Sequence, residues 1–115
     1  AAEHLQIRGV PTSLAAERLA RQHGIPVFPL TQETCPDLTV DGADETDARL
    51  SLIKGGGAAL VQEKLVAASS GGMIVIVDES KLVATLGAFP LPVAIIPFGW
   101  ETTLNRIKKA FPHVS

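Results

Sequence analysis

The chain has 115 residues, 46% of them hydrophobic and 19% charged, with a net charge of −2. One domain's worth of sequence with that apolar content excludes a disordered tail and a charge-rich coiled coil. Ten basic and twelve acidic residues with no basic block argue against nucleic acid or an anionic membrane surface as a partner. No apolar run approaches the ~20 residues of a membrane helix, and no signal peptide opens the chain. Cys35 is the only cysteine, so an internal disulfide framework is excluded and a reducing, cytoplasmic compartment is the default. His4, His23 and His113 lack ligand spacing, and no structural zinc site is expected. The chain starts at Ala1 rather than Met, in strand-like material, which suggests a processed chain or a fragment.

Leu5, Ile7 and Val10 alternate with polar residues and predict a short strand stopped by Pro11. Thr12 or Ser13 can cap a helix running to about His23, followed by Gly24 in the position that suits a helix end. Ala16, Leu19, Ala20 and His23 form its stripe. Residues 25–30 are a short apolar stretch broken by Pro26 and Pro29, and 31–36 a loop. Residues 37–40 read as a brief strand ending at Asp41-Gly42, and 50–53 as another ending at Lys54. A helix is predicted over 58–69, ended by Gly71-Gly72. A buried strand is predicted over 73–77, ending at Asp78, then a short helix over 80–86 closed by Gly87. Residues 93–96 predict a strand between Pro92 and Pro97. The last helix starts near Trp100, with Leu104, Ile107 and Phe111 on one stripe. Strands alternating with helices predict an α/β fold with a doubly wound, mostly parallel sheet. The proline-rich stretch 89–92 marks a domain boundary, dividing the chain into 1–88 and 89–115. The second piece is too short to enclose a core.

In open parallel sheets ligands bind beyond the carboxyl ends of the strands. Val40 leads into Asp41, Ile53 into Lys54, and Val77 into Asp78 with Lys81 just beyond. Any one of these reads as an ordinary charged strand end; three on one edge point to a site. Lys54-Gly55-Gly56-Gly57-Ala58 joins a strand to a helix. Glycines let the backbone approach a ligand, and the helix N-terminus behind them favours an anion or a developing oxyanion. The run is not a Walker loop, because its lysine precedes the glycines. It is not the dinucleotide fingerprint, because Leu60 occupies the last small position. A plain tight turn is the alternative. The helical neighbours of Glu63 are Ala59, Leu60, Val66 and Ala67, all apolar. Either that helix is largely buried and Glu63 is a desolvated carboxylate suited to general-base work, or Gln62, Glu63 and Lys64 form a solvated strip. Asp37, Asp41, Asp44, Glu45 and Asp47 lie close together, but their spacing is not that of a calcium-binding EF-hand loop. Glu45 and Asp47 read as solvated turn acids; Asp41 and Asp44 are better placed at the strand end.

Asp41-Gly42-Ala43-Asp44-Glu45 and Ile53-Lys54-Gly55-Gly56-Gly57-Ala58-Ala59-Leu60 with Glu63-Lys64 resemble the ribose-5-phosphate isomerase type A family. Asp78-Glu79-Ser80-Lys81-Leu82, the stretch Leu86-Gly87-Ala88-Phe89-Pro90-Leu91-Pro92-Val93, and Val10-Pro11-Thr12-Ser13 are similar to it too. The resemblance implies a Rossmann-like catalytic domain over 1–88 and the beginning of a small α+β domain over 89–115. It implies aldose–ketose isomerisation of ribose 5-phosphate and ribulose 5-phosphate through an enediolate, in the non-oxidative branch of the pentose phosphate pathway, with no cofactor and no metal. Carried over by motif, Glu63 would move the proton between C2 and C1, and Lys54 would stabilise the enediolate oxygens together with the amides of Gly55, Gly56 and Gly57. Asp41 would move protons between the oxygens and assist ring opening, and Asp44 would hold hydroxyls. Gly42 and Ala43 would complete that binding stretch, and Lys81 would contact the substrate from the next strand end. The partner implied is a small sugar phosphate, and the full-length protein would be a homodimer or homotetramer. The family's Thr-Gly-Ser-Thr type phosphate loop does not occur in these residues, so little or no turnover is expected of this chain alone. Two rivals remain: a non-catalytic sugar-phosphate sensor, and an acyl-CoA transferase-like enzyme with a nucleophilic glutamate.

Overall fold

The computed structural model describes residues 6–113. The first helix, α1 (Leu14–Gln22), begins where Ser13 Oγ accepts the Ala16 N–H at 3.0 Å, satisfying one of the amides a helix start leaves open. It ends at His23, and Gly24 takes a φ of 70°, a left-handed turn that costs glycine little. The strand expected before it shrinks to one parallel bridge, Gly9 with Val27; Leu5, where it was to start, and His4 lie outside the described residues. Pro11 on one side and Pro26 and Pro29 on the other remove the amide donors a longer ladder would need.

Strand β1 (Thr39–Asp41) pairs in parallel with β4 (Met73–Val75), Thr39 opposite Met73 and Asp41 opposite Val75. Parallel neighbours need a crossover, and α2 (Leu60–Ala68) lies within it. Between β1 and α2 sits an antiparallel hairpin of β2 (Glu45–Thr46) and β3 (Leu52–Ile53), with Glu45 opposite Ile53. Asp47 builds its turn by accepting the amides of Arg49 and Ser51, both at 2.9 Å. Those bonds, Ser51's first, hold its carboxyl below the usual aspartate range. Thr46 also bridges Leu82 in parallel. A 3-10 turn follows at Glu79–Lys81, and α3 (Trp100–Ala110) closes the described chain. The fold is α/β, with parallel pairing and helical crossovers.

Four expectations need correction. The strand over 73–77 stops at Val75, and Met73 and Ile74 are exposed rather than buried. The helix over 58–69 is Leu60–Ala68 and is not buried all round: Val61 and Leu65 face solvent and Val66 is its buried residue. The helix over 80–86 is only the 3-10 turn, and 93–96 forms no strand. The cause is shared. The accessible surface is 9562 Å², against roughly 6,000 Å² for a compact chain of this mass. The radius of gyration is 17.2 Å, against about 13 Å. The apolar faces of β4 and α2 are patterned for burial, but among the described residues little covers them. Ile53 and Val66 are the buried hydrophobic residues.

Candidate active site

Three elements aim one side chain each at a common point. Asp41 is the last residue of β1, Lys54 follows β3, and Glu63 stands in the first turn of α2. Lys54 Nζ lies 3.0 Å from Asp41 Oδ2 and 3.1 Å from Glu63 Oε2. The side chains are 13% exposed for the lysine and 15% for each acid, so their attraction is screened less than that of a surface pair. Lys54 also donates to the Gly42 carbonyl oxygen. Burial works against the ammonium charge, but the contacts to Asp41 and Glu63 outweigh it and hold Lys54 above the ordinary lysine range. The α2 dipole favours a carboxylate at Glu63.

Glu63 is therefore neither the lone carboxylate in an apolar helix nor part of a solvated strip. It is a shielded acid whose charge is answered by Lys54. Asp41 is held from both sides, its Oδ1 accepting the Gly42 N–H at 2.8 Å. Asp41 Oδ2 and Glu63 Oε2 are closed to solvent and in ionic contact with Lys54, with no directed hydrogen bond of their own among the described residues.

The glycine run is built around Asp44. Its Oδ2 accepts the Gly56 amide at 2.8 Å, while its own amide donates to Ile53 O at 2.8 Å. Gly55 turns the chain with a φ of 107°, and Ala58 follows at 59°. Half-buried Ala43 separates Gly42 from Asp44. A Cβ on Gly56 would stand 2.7 Å from Asp44 Oδ1 and 3.0 Å from Phe89 Cζ, whereas one on Gly57 meets nothing within 4 Å. Gly56→Ala is expected to cost about 1–3 kcal/mol and Gly57→Ala less than about 0.5 kcal/mol, as read by urea unfolding. Equal effects at the two positions would contradict this packing.

The third expected strand end is not one, since β4 stops at Val75. Asp78 accepts the Ser80 amide at 2.9 Å and the Ser80 hydroxyl. Those bonds, with some help from Lys81, hold its carboxyl below the usual range. Asp78 is thus the cap of the 3-10 turn. Lys81 ends that turn, half-buried, and forms no ion pair with the Asp41–Lys54–Glu63 cluster among the described residues.

Glu45 overturns its reading as a solvated turn acid. It is 4% exposed, and its two oxygens accept the amides of Gly87 at 2.7 Å and Phe89 at 2.5 Å. Its partners lie more than forty residues downstream, so no local sequence signal marked it. A groove of about 720 Å³, lined by Arg8, Val10, Phe28, Leu38 and Val40 among others, lies away from the charge cluster and includes none of its three members. Among the described residues no group of His, Cys, Asp and Glu side chains is placed to hold a metal, and no helix is long and apolar enough to cross a membrane.

The family model for ribose 5-phosphate isomerase A (phosphoriboisomerase A) matches residues 8–114. The chain belongs to the ribose 5-phosphate isomerase A family. Ribose-5-phosphate isomerase A of Cereibacter sphaeroides is 58% identical over 108 residues, 94% of this chain and 43% of the relative. That of Bacillus cereus is 63% identical over 106 residues, 92% of this chain and 48% of the relative. The chain thus spans less than half the length of these two curated relatives. The solved ribose 5-phosphate isomerase A of Methanocaldococcus jannaschii superposes with a TM-score of 0.87 at 42% identity, over 94% of this chain and 48% of that one. A D-ribose-5-phosphate isomerase solved with phospho-erythronic acid superposes with a TM-score of 0.84 at 46% identity, over 90% of this chain and 45% of that one.

Proposed function

We propose that this chain carries the proton-transfer centre of an isomerase interconverting ribose 5-phosphate and ribulose 5-phosphate. The observation that supports it is the meeting of Asp41, Lys54 and Glu63 at 3.0 and 3.1 Å. Removing a proton next to a carbonyl needs a positioned base and a cation where oxyanion charge develops. Glu63 takes the proton from C2. The electrons of that C–H bond form the C1–C2 double bond, and charge moves onto O1 beside Lys54. Asp41 passes the O2 proton to O1. The O2 electrons then form the C2 carbonyl while C1 receives the proton from Glu63. Asp41 also assists opening of the sugar ring. Gly42, Ala43 and Asp44 hold the hydroxyls, the Gly55–Gly57 run lines the enediolate oxygens with the amides of Gly55 and Gly57 while the Gly56 amide stays on Asp44, and Lys81 approaches from the 3-10 turn that follows β4. No metal and no cofactor take part.

The same reading places the chain in the cytoplasm, in the non-oxidative branch of the pentose phosphate pathway, with a Rossmann-like catalytic part over 1–88, the start of a small α+β part over 89–115, and a homodimer or homotetramer as the full-length form. The sensor and acyl-CoA transferase readings draw no support from the relatives.

Long incubation of the chain with ribose 5-phosphate in D₂O tests the proposal by proton NMR. Deuterium should enter at C2 of the aldose and C1 of the ketose. If phosphate is not captured, unphosphorylated ribose exchanges at a similar rate. The absence of both exchange and ketose above a protein-free control would overturn the assignment.

A further inference from the structure

Glu45 is a buried acid that the mechanism does not use. It lies one residue from Asp44 and is 4% exposed. Its partners are two backbone amides, those of Gly87 and Phe89, and no cation pairs with it among the described residues. A carboxylate placed this deep requires full hydrogen bonding, and amides donating to a charged acceptor make stronger bonds than neutral pairs. The segment 87–89, more than forty residues downstream, is tied by this acid to the hairpin that carries Asp44.

The tie has a target. Phe89 Cζ would lie 3.0 Å from a Cβ built on Gly56, so the ring borders the glycine run. Gly56 is also held by Asp44 through its amide at 2.8 Å, and the same Cβ would stand 2.7 Å from Asp44 Oδ1. The Asp44 carboxylate and the Phe89 ring thus both pack against Gly56, and Glu45 fixes the backbone that presents the ring. We infer that Glu45 is a positioning residue: by clamping the Gly87 and Phe89 amides it sets the Phe89 ring against Gly56 and so the aim of the flanking Gly55 and Gly57 amides toward substrate oxygens. The ligand consequence rests on the isomerase reading above; the loop geometry does not.

Two variants test it, Glu45→Gln and Phe89→Leu. Glutamine keeps one acceptor oxygen but turns an N–H₂ toward the second amide, so one bond is lost. Leucine leaves both Glu45 bonds in place but removes the ring edge from Gly56. Amide hydrogen exchange of Gly56 reports the loop, and that of Thr39, bonded to Gly72 O at 2.9 Å, reports the sheet. Calorimetry with phospho-erythronic acid reports ligand affinity. Each variant should speed Gly56 exchange about tenfold, the equivalent of one lost hydrogen bond, and leave Thr39 unchanged. Affinity should fall by a factor of about five to ten. Unchanged Gly56 exchange in a variant with Thr39 still protected overturns the inference. If Glu45→Gln loses Thr39 protection as well, Phe89→Leu decides alone: faster Gly56 exchange supports the inference and unchanged exchange overturns it. If the wild-type chain does not bind phospho-erythronic acid, the isomerase reading is judged by the ribose exchange above and the Gly56 exchange alone judges the clamp. Loosening of Gly56 with no change in a measurable affinity overturns the claim that the clamp serves the ligand.

Discussion

Glu63→Gln is expected to slow deuterium uptake at C2 of ribose 5-phosphate by about 10²–10⁴-fold, the usual contribution of a general base. Glutamine has nearly the shape of glutamate, and its amide oxygen can still face Lys54 Nζ, which stands 3.1 Å from the native Oε2. What disappears is the basicity. Binding should therefore change little while the rate of proton removal falls, the pattern of a group acting in the transition state. Affinity for phospho-erythronic acid, measured beside the exchange rate, separates the two effects. A variant that keeps the native exchange rate would show that another group takes the proton.

Lys54→Met should be the most damaging change to the fold itself. The ammonium is the cation between two shielded carboxylates. Its removal leaves Asp41 and Glu63 facing one another across a site largely closed to water. Breaking a buried pair by deleting one partner costs about 3–5 kcal/mol; the residual exposure here lowers that to about 2–3 kcal/mol. Urea unfolding at neutral pH measures it. The wild type itself is sensitive at high pH. Its folded lysine titrates above the reference value of 10.5. The stabilisation is complete below that value and is lost as pH rises through the higher folded value. A variant as stable as wild type at neutral pH would mean that the three groups are independent.

Some of this was legible in the residues and some was not, for physical reasons. The start and end of α1 were readable because caps are local: Ser13 bonds an amide three residues away, and Gly24 answers to its own φ. Asp41 stood out because it ends a strand of the parallel sheet, where ligands bind; Lys54 was marked by the same rule, although its strand β3 pairs antiparallel with β2. Their meeting with Glu63 is a tertiary fact that periodicity cannot supply. Strand lengths were overestimated at 73–77 and 93–96 because an apolar run declares only that it prefers cover, and cover comes from elsewhere in space. Glu45 and Asp47 looked alike as acids in one turn. Asp47 finds its amides two and four residues on, and Glu45 finds its own more than forty residues away. No window of sequence around Glu45 contains that difference.

The cluster at Lys54 holds two negative charges and one positive, a sum of minus one. On the proposed reading, when Glu63 takes the C2 proton it becomes neutral and its claim on the ammonium weakens. In the same event a new negative oxygen appears on the sugar. Lys54 can then trade one anion for another over a short distance, and the total charge inside the site never changes. Surrounding dipoles have little to rearrange, so the reorganisation that makes enolate formation slow in water is largely avoided.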